Sequence, residues 1–175
     1  MTAQDAKRLQ GGVGSAQDLD WNAVYADQLP RVYNYFRFRV ARSQDVEELT
    51  ARTFEKAWRA RAKYRRDLAG FSTWLFAIAR NVMTDQLRSD AVRIRAATLS
   101  EATEQVTPEG RAMHSSDMQR LARLTAGLAD RHKELIALKY GAALSNRMIA
   151  RVTGLSESNV GTTLQRIVER LRAQW

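Results

Sequence analysis

Apolar residues return every three or four positions through most of this chain, and the places where they stop returning divide it. Val32, Tyr35, Phe36 and Val40 fall on one helical face. Val46, Leu49, Thr53, Phe54, Ala57 and Trp58 make a second stripe, and Trp74, Leu75, Ile78, Ala79, Val82 and Leu87 a third. Three such stripes can bury one another as a small bundle. Between the second and third, the basic run from Arg61 to Gly70 breaks the period and predicts a turn. From Asp90 to Ser116 the period fades, although Ala-rich pieces can prolong the third helix by a turn or two. The acidic run Leu99 to Gly110, which holds Pro108, has the composition of a linker. The pattern resumes at Leu121, Leu124, Leu128, Leu135, Ile136 and Leu138, and closes with Val160, Leu164, Ile167, Val168 and Leu171.

Pro30 and Pro108 are the only prolines, and good helix formers abound, so the predicted fold class is all-α, two small helical domains joined by a linker. Residues 1–18 are polar, with Gly11, Gly12 and Gly14 close together, and read as a disordered N-terminal extension. The first domain is expected over residues 19–92, the linker over 93–116 and the second domain over 117–175.

Inside the second domain the order of residues is more specific. Ser145 is placed to cap a short helix, Gly154 to end it in the left-handed conformation, and Ser156 to cap a longer one. Ile149, Ala150, Val152, Leu155 and Val160 fall where two crossed helices must pack. A short helix, a glycine turn and a second capped helix form a helix-turn-helix, whose second helix enters the major groove in DNA-binding proteins. Arg147 and Ser156, with Ser158, Asn159, Thr162, Thr163 and Arg166 on the second helix, then become candidate DNA contacts, and Arg170 and Arg172 lie toward the backbone. A helical hairpin that binds only protein fits the same apolar spacing.

Charge narrows the class of partner. With 28 Lys and Arg against 19 Asp and Glu, the chain of 175 residues carries a formal net charge of +9, which suits a polyanion such as nucleic acid. There is no apolar run of membrane-spanning length and no signal-peptide layout at the N-terminus, so no membrane insertion is expected and the predicted location is cytoplasmic. The absence of cysteine removes disulfides, thiolate metal sites and thiol nucleophiles. His114 and His132 have no convincing carboxylate or Ser partner, and no phosphate-loop, dinucleotide, zinc-protease or nucleophile-elbow motif occurs. No catalytic residue, metal ligand or cofactor is expected, and the protein does not read as an enzyme.

The basic run Lys63 to Arg66, followed by Phe71 and Trp74, pairs cations with aromatic rings. That pairing suits unstacked bases, since stacking on an aromatic side chain contributes roughly 1–3 kcal/mol per base. A solvated charge run beside two core aromatics fits equally well from the residues alone.

Three longer motifs carry a family resemblance. Asp45-Val-Glu-Glu-Leu-Thr-Ala-Arg-Thr-Phe54-Glu-Lys-Ala-Trp58 resembles the polymerase-binding helix of region 2 in the extracytoplasmic function group of sigma-70 factors. Phe71-Ser-Thr-Trp-Leu-Phe-Ala-Ile-Ala-Arg-Asn81, with Asp85 and Arg88 behind it, is similar to their promoter-melting segment. The tail from Leu135 through Gly141 and Leu155 to Arg172 is similar to region 4. The resemblance covers nearly all of residues 20–175. It implies a factor that binds core RNA polymerase, recognises and melts promoter DNA, and is held by an anti-sigma factor. Asp45, Glu47, Glu48, Arg52, Phe54 and Lys56 would then meet polymerase, on the clamp coiled coil of its largest subunit. Trp74 and Asn81 would hold an extruded base, while Lys63, Arg65, Arg66, Arg80 and Arg88 would neutralise phosphates. The linker, with Glu101, Glu104 and Glu109, resembles a nucleic-acid mimic threaded toward the RNA exit path.

The chain departs from the family pattern in places. Ala51-Arg52 stands where Gln-Glu is common, Met148 where Glu is common, and Gly161 and Thr163 near positions that are often basic. These departures suit an alternative function, a sigma-like regulatory protein that titrates a partner without initiating transcription. Ala51-Arg52 also raises the idea of a phosphorylation switch. A phosphate on Thr50 or Thr53 would restore about −1.5 to −2 charges to that helix, whereas an unmodified chain would have Thr53 buried beside Phe54 and Thr50 at the surface.

Overall fold

The computed structural model describes residues 20–99 and 124–175. The expected N-terminal extension, His114, most of the linker with its three glutamates, and Leu121 lie outside the described residues. Among those described, every regular element is helical.

The first lobe consists of α1 (Trp21–Arg37), α2 (Ser43–Ala60) and α3 (Phe71–Leu99). Asp20 opens α1 by accepting from the backbone N–H groups of Asn22 and Ala23 at 3.0 and 3.2 Å, which satisfies two donors that a helix start leaves unpaired. Pro30 lies inside α1 instead of interrupting it. Val32, Tyr35 and Phe36 of α1, Val46, Leu49 and Ala57 of α2, and Leu75, Phe76, Ala79, Val82 and Met83 of α3 close the core of this lobe. Two expected core positions miss it: Trp58 is 50% exposed and Leu87 38%. Ala57 takes the inward place next to Trp58, so the helical stripe is narrower than the sequence suggested. α3 continues through Leu99, past the boundary expected after residue 92, as the Ala-rich sequence there permits.

The second lobe holds α4 (Asp130–Ile136), a single π turn over Ala137–Gly141, α5 (Asn146–Thr153) and α6 (Glu157–Ala173). Ala143, in the connection to α5, has φ +53°, a left-handed conformation that costs a residue with a Cβ roughly 1–2 kcal/mol. Leu135, Leu138, Leu144, Ile149, Val152, Val160 and Leu164 from this lobe join the same buried cluster as the first lobe's core. One continuous apolar interior therefore runs through both lobes.

Candidate nucleic-acid interface

The helix-turn-helix forms through local chemistry. Ser145 Oγ accepts from the Met148 N–H at 3.2 Å, Gly154 ends α5 with φ +76°, and Ser156 Oγ accepts from the Asn159 N–H at 3.2 Å. Ile149, Val152 and Val160 are buried between the two helices. Ser158, Asn159, Thr162 and Arg166 project from α6 into solvent, and Arg147 does so from α5. Thr163 is half-buried and donates to Asn159 Oδ1 at 3.0 Å, so it holds the Asn159 amide in place. Arg147 pairs with Glu157 at 3.5 Å. The Ser156 hydroxyl, expected among the DNA contacts, is engaged as the helix cap.

At the other candidate surface a short 3-10 turn, Arg61–Lys63, leads into a loop whose root is Tyr64. Tyr64 is buried against Phe71 and Trp74, with ring centroids 5.5 and 5.2 Å away. Burial pushes its phenol up from the ordinary value, against the opposing pull of Arg66. Phe71 continues the contact to Trp21, and Trp21 to Trp58, over which the Arg61 guanidinium sits 4.0 Å from the ring centroid. Lys63, Arg65 and Arg66 are exposed on this aromatic base. The cations are solvated and the aromatics pack on one another as the anchor of the loop that carries them, which is the reading of a solvated charge run beside core aromatics. Trp74 is half-buried in that anchor. Arg65 is the loop cation already spoken for, because the Asp67 carboxylate hydrogen-bonds it, raises its affinity for its proton, and is itself held below the usual carboxylate range by Arg65.

On α3, Asn81 and Arg88 are exposed, while Arg80 is half-buried and engaged by the second lobe. Its Nε lies 2.7 Å from Glu134 Oε1 of α4, and its Nη1 reaches the Val152 carbonyl at 3.5 Å.

The face expected to meet polymerase lies on α2. Glu47 and Glu48 are exposed, Asp45 is half-buried, and Phe54 is half-buried with its ring centroid 4.6 Å from that of Tyr25. Arg52 is balanced by Glu48 at 3.8 Å and donates to Gln86 Oε1 at 3.2 Å, and Lys56 is balanced by Asp85 at 3.1 Å. Arg52 and Lys56 therefore tie α2 to α3, and Arg52 does not present a bare positive charge. Thr50 contradicts the surface position expected for it. It is buried and donates to the Val46 carbonyl at 2.7 Å, as Thr53, fully buried, donates to Leu49 at 2.8 Å. Neither hydroxyl is open to a kinase in the folded chain, which removes the physical basis of the phosphorylation switch.

Sequence reading missed Tyr64 as the root of the loop, Ala143 as a strained position, and the residues that join the lobes: Arg31, Arg39, Glu134 and Gly141. Among the described residues no group of three or more His, Asp or Glu side chains is arranged to hold a metal, and no helix is long and apolar enough to cross a membrane.

Residues 24–93 match the sigma-70 region 2 family and residues 118–171 the sigma-70 region 4 family. The chain is 29% identical over 168 residues to the extracytoplasmic function sigma factor BldN of Streptomyces coelicolor, covering 94% of this chain and 62% of that protein. It is 25% identical over 163 residues to the sigma factor SigL of Mycobacterium tuberculosis, covering 92% of each. Among solved structures it resembles the sigma factor RpoE bound to the anti-sigma factor NepR from Bartonella quintana, with a TM-score of 0.70, 22% identity and coverage of 88% of this chain and 95% of that one. CnrH bound to the cytosolic domain of CnrY gives a TM-score of 0.62 at 22% identity, covering 91% and 90%. Two family matches, in order along one chain and resting on the helices described above, place this protein in the sigma-70 family, within its extracytoplasmic function group.

Proposed function

We propose that this chain is a transcription initiation factor that binds core RNA polymerase, recognises a promoter and opens it, working where polymerase and DNA are, in the cytoplasm. The observation that carries the proposal is a pair of separate polar and cationic surfaces in one sigma-70 chain: the capped helix-turn-helix with its exposed polar row on α6, and the cationic loop rooted in aromatic rings. The first lobe, about residues 19–92, docks on polymerase through Glu47, Glu48 and Phe54 and engages the opened strand through Lys63, Arg66, Asn81 and Arg88. Stacking and phosphate neutralisation stabilise the separated strand. The second lobe, about 117–175, reads duplex through Asn159, Thr162 and Arg166. Tethering raises the effective concentration of each lobe at its own element. Free energy comes from binding, and the factor performs no covalent chemistry itself.

An anti-sigma factor completes the proposal. The similar RpoE and CnrH structures hold NepR and the cytosolic domain of CnrY, and this chain offers an apolar groove of about 350 Å³ between Phe38, Ile136, Tyr140, Val168 and Leu171. Run-off transcription with core polymerase and a library of promoters tests the assignment. A promoter-dependent transcript is expected. Polymerase binding with no transcript from any promoter would overturn it in favour of a titrating regulator.

A further inference from the structure

The seam between the lobes is tight at one place and open at another. Arg31 Nε donates to the Ala142 carbonyl at 2.9 Å, and Gly141 lies against α1, where a Cβ would stand 2.9 Å from the Asn34 carbonyl oxygen. Elsewhere on the seam a cleft of about 370 Å³ is bounded by Arg39, Arg80, Asp130, Arg131, Glu134 and Leu155. Packed protein contacts ordinarily leave no space of that size, and small-molecule sites begin at about 300 Å³. Arg39 follows α1, Arg80 stands on α3, and Arg131 stands on α4. Three guanidinium groups distant in sequence therefore come together only in the folded chain.

The cleft has more donors than acceptors. Both of its carboxylates are already matched, Glu134 by Arg80 at 2.7 Å and Asp130 by Lys133 at 3.9 Å. Arg39 spends one N–H on the Asp130 backbone carbonyl at 2.7 Å. Arg131 is exposed and has no hydrogen-bond or ion-pair partner among the described residues. A guanidinium carries about five N–H donors and no acceptor, so most of the donors of Arg39 and Arg131 are left for solvent or a ligand. The wall behind is short of a bond as well. Tyr35 is wholly buried, and its hydroxyl has no partner among the described protein groups. Its phenol feels the charges of Arg39, Glu134 and Arg80, three residues of the cleft. In folded proteins an unpaired buried hydroxyl is uncommon, and one cause is hydrogen bonding that a bound molecule or ion completes.

We propose that this cleft binds a small diphosphate-bearing molecule of the nucleoside diphosphate class, with Arg39 and Arg131 gripping its phosphates from the two lobes. Guanidinium groups take phosphate oxygens through paired, charge-assisted N–H bonds, and a diphosphate has oxygens enough for two of them at once. A single phosphate would leave most of the cleft unfilled. Asp130 and Glu134 offer only acceptors, which suits the hydroxyl groups of a sugar, and Leu155 gives a base an apolar wall. The site lies apart from the residues proposed to meet polymerase and DNA, and it goes beyond that assignment. A ligand held by both lobes stabilises the folded chain according to its free concentration, which gives the factor an input that passes through no protein partner.

The test titrates the full chain calorimetrically, in magnesium-free buffer, with inorganic phosphate, inorganic pyrophosphate, ADP and GDP. One-to-one binding of the three diphosphates is expected, about tenfold or more tighter than that of phosphate, together with a rise in the thermal midpoint. Tighter binding of ADP or GDP than of pyrophosphate supports the nucleoside assignment, and equal binding of all three overturns it. Arg131→Ala breaks no bond among the described residues and is expected to weaken diphosphate binding by about tenfold or more. Arg95→Ala, which removes an exposed cation from α3 outside the cleft, is expected to leave it nearly unchanged. Equal losses in the two variants would show diffuse attraction to a chain of charge +9 and overturn the site. Phosphate binding as tightly as the diphosphates would do the same. A short single-stranded oligonucleotide that depends on Arg131 and binds more tightly than every diphosphate would assign the cleft to nucleic acid instead. No readout involves polymerase or a promoter, so a failure of run-off transcription overturns the initiation assignment alone.

Discussion

Arg65 donates through Nε and Nη2 to the two carboxylate oxygens of Asp67, at 3.0 and 2.9 Å, and so spends its charge inside its own loop. Removing Arg65 should therefore weaken DNA binding less than removing Arg66. Each phosphate contact contributes roughly 0.7–0.9 to the slope of log affinity against log salt. Arg66→Ala is expected to lower the slope of the holoenzyme by about that amount, Arg65→Ala by less, and Asp67→Asn to raise it by freeing Arg65. Titrating a fixed promoter fragment over a range of salt concentrations checks all three. Equal slopes for the two arginine variants would show that the pair opens freely on DNA.

The sign of the pH effect on the same loop follows from Asp67. Its carboxyl is held below the usual range by Arg65, so the pair stays intact as pH falls through the ordinary carboxylate range and breaks only below it. The chemical shift of the Asp67 carboxyl carbon, followed on acidification in wild type and in Arg65→Ala, should show the later transition in wild type.

Ala143 holds φ +53° at the entrance to α5. Glycine adopts that conformation without the Cβ penalty, although it also gains entropy in the unfolded chain. Ala143→Gly is expected to stabilise the protein by about 0.5–1 kcal/mol, measured as a shift of the urea midpoint with unchanged slope. A destabilised variant would mean that the turn is held by contacts of the methyl group.

On α6, Asn159 is aimed by Thr163, whose hydroxyl donates to its side-chain oxygen at 3.0 Å. Asn159→Ala and Arg166→Ala should each relax base preference at one or two upstream positions, by roughly 1–3 kcal/mol where a bidentate contact is lost. Thr163→Val should relax the same position as Asn159→Ala, more weakly. Selection from a promoter library randomised upstream reads this directly. Full retention of preference in the first two variants would assign the reading to another surface.

Thr53 is fully buried, so Thr53→Glu places a carboxylate with no counter-ion in the core and should cost about 3 kcal/mol or more. Thr53→Val, which keeps the shape and gives up only a bond to the residue's own helix, should cost far less. Thermal unfolding of the two variants separates them. A folded, polymerase-competent Thr53→Glu protein would reopen regulation by charge on α2.

Where structure rests on neighbours in sequence, the chain was readable. Ser145, Gly154 and Ser156 act within four residues of themselves, and their capping chemistry is the same in any context. Trp58 differs from its expected core place because helical periodicity finds the centre of a buried stripe better than its edge, whereas Ala57, in the same stripe, is buried as expected. The ties of Arg52 and Lys56 to α3 are hidden in the sequence because Gln86 and Asp85 are about thirty residues away, whereas Glu48, four residues before Arg52, is legible as a helical partner. The seam between the lobes was illegible for a related reason. Arg31 and Arg39 bond to backbone carbonyls, which leave no trace in the identity of a partner, and Glu134 is one carboxylate among 19 acidic residues. Gly141 differs from an ordinary turn glycine only once α1 is in place beside it.

The ring contacts at the root of the basic loop also make an optical instrument. The chain has four tryptophans, and three of them, Trp21, Trp58 and Trp74, belong to one connected set of rings with Phe71 and Tyr64. The fourth, Trp175, ends the chain beyond α6. Intrinsic emission is therefore concentrated at the loop expected to take an unpaired base. With Trp175→Phe removing the distant emitter, a nucleobase arriving beside Trp58 or Trp74 would report itself by quenching, in unlabelled protein and in real time. The order in which strand opening and upstream docking occur could then be watched through the factor's own fluorescence.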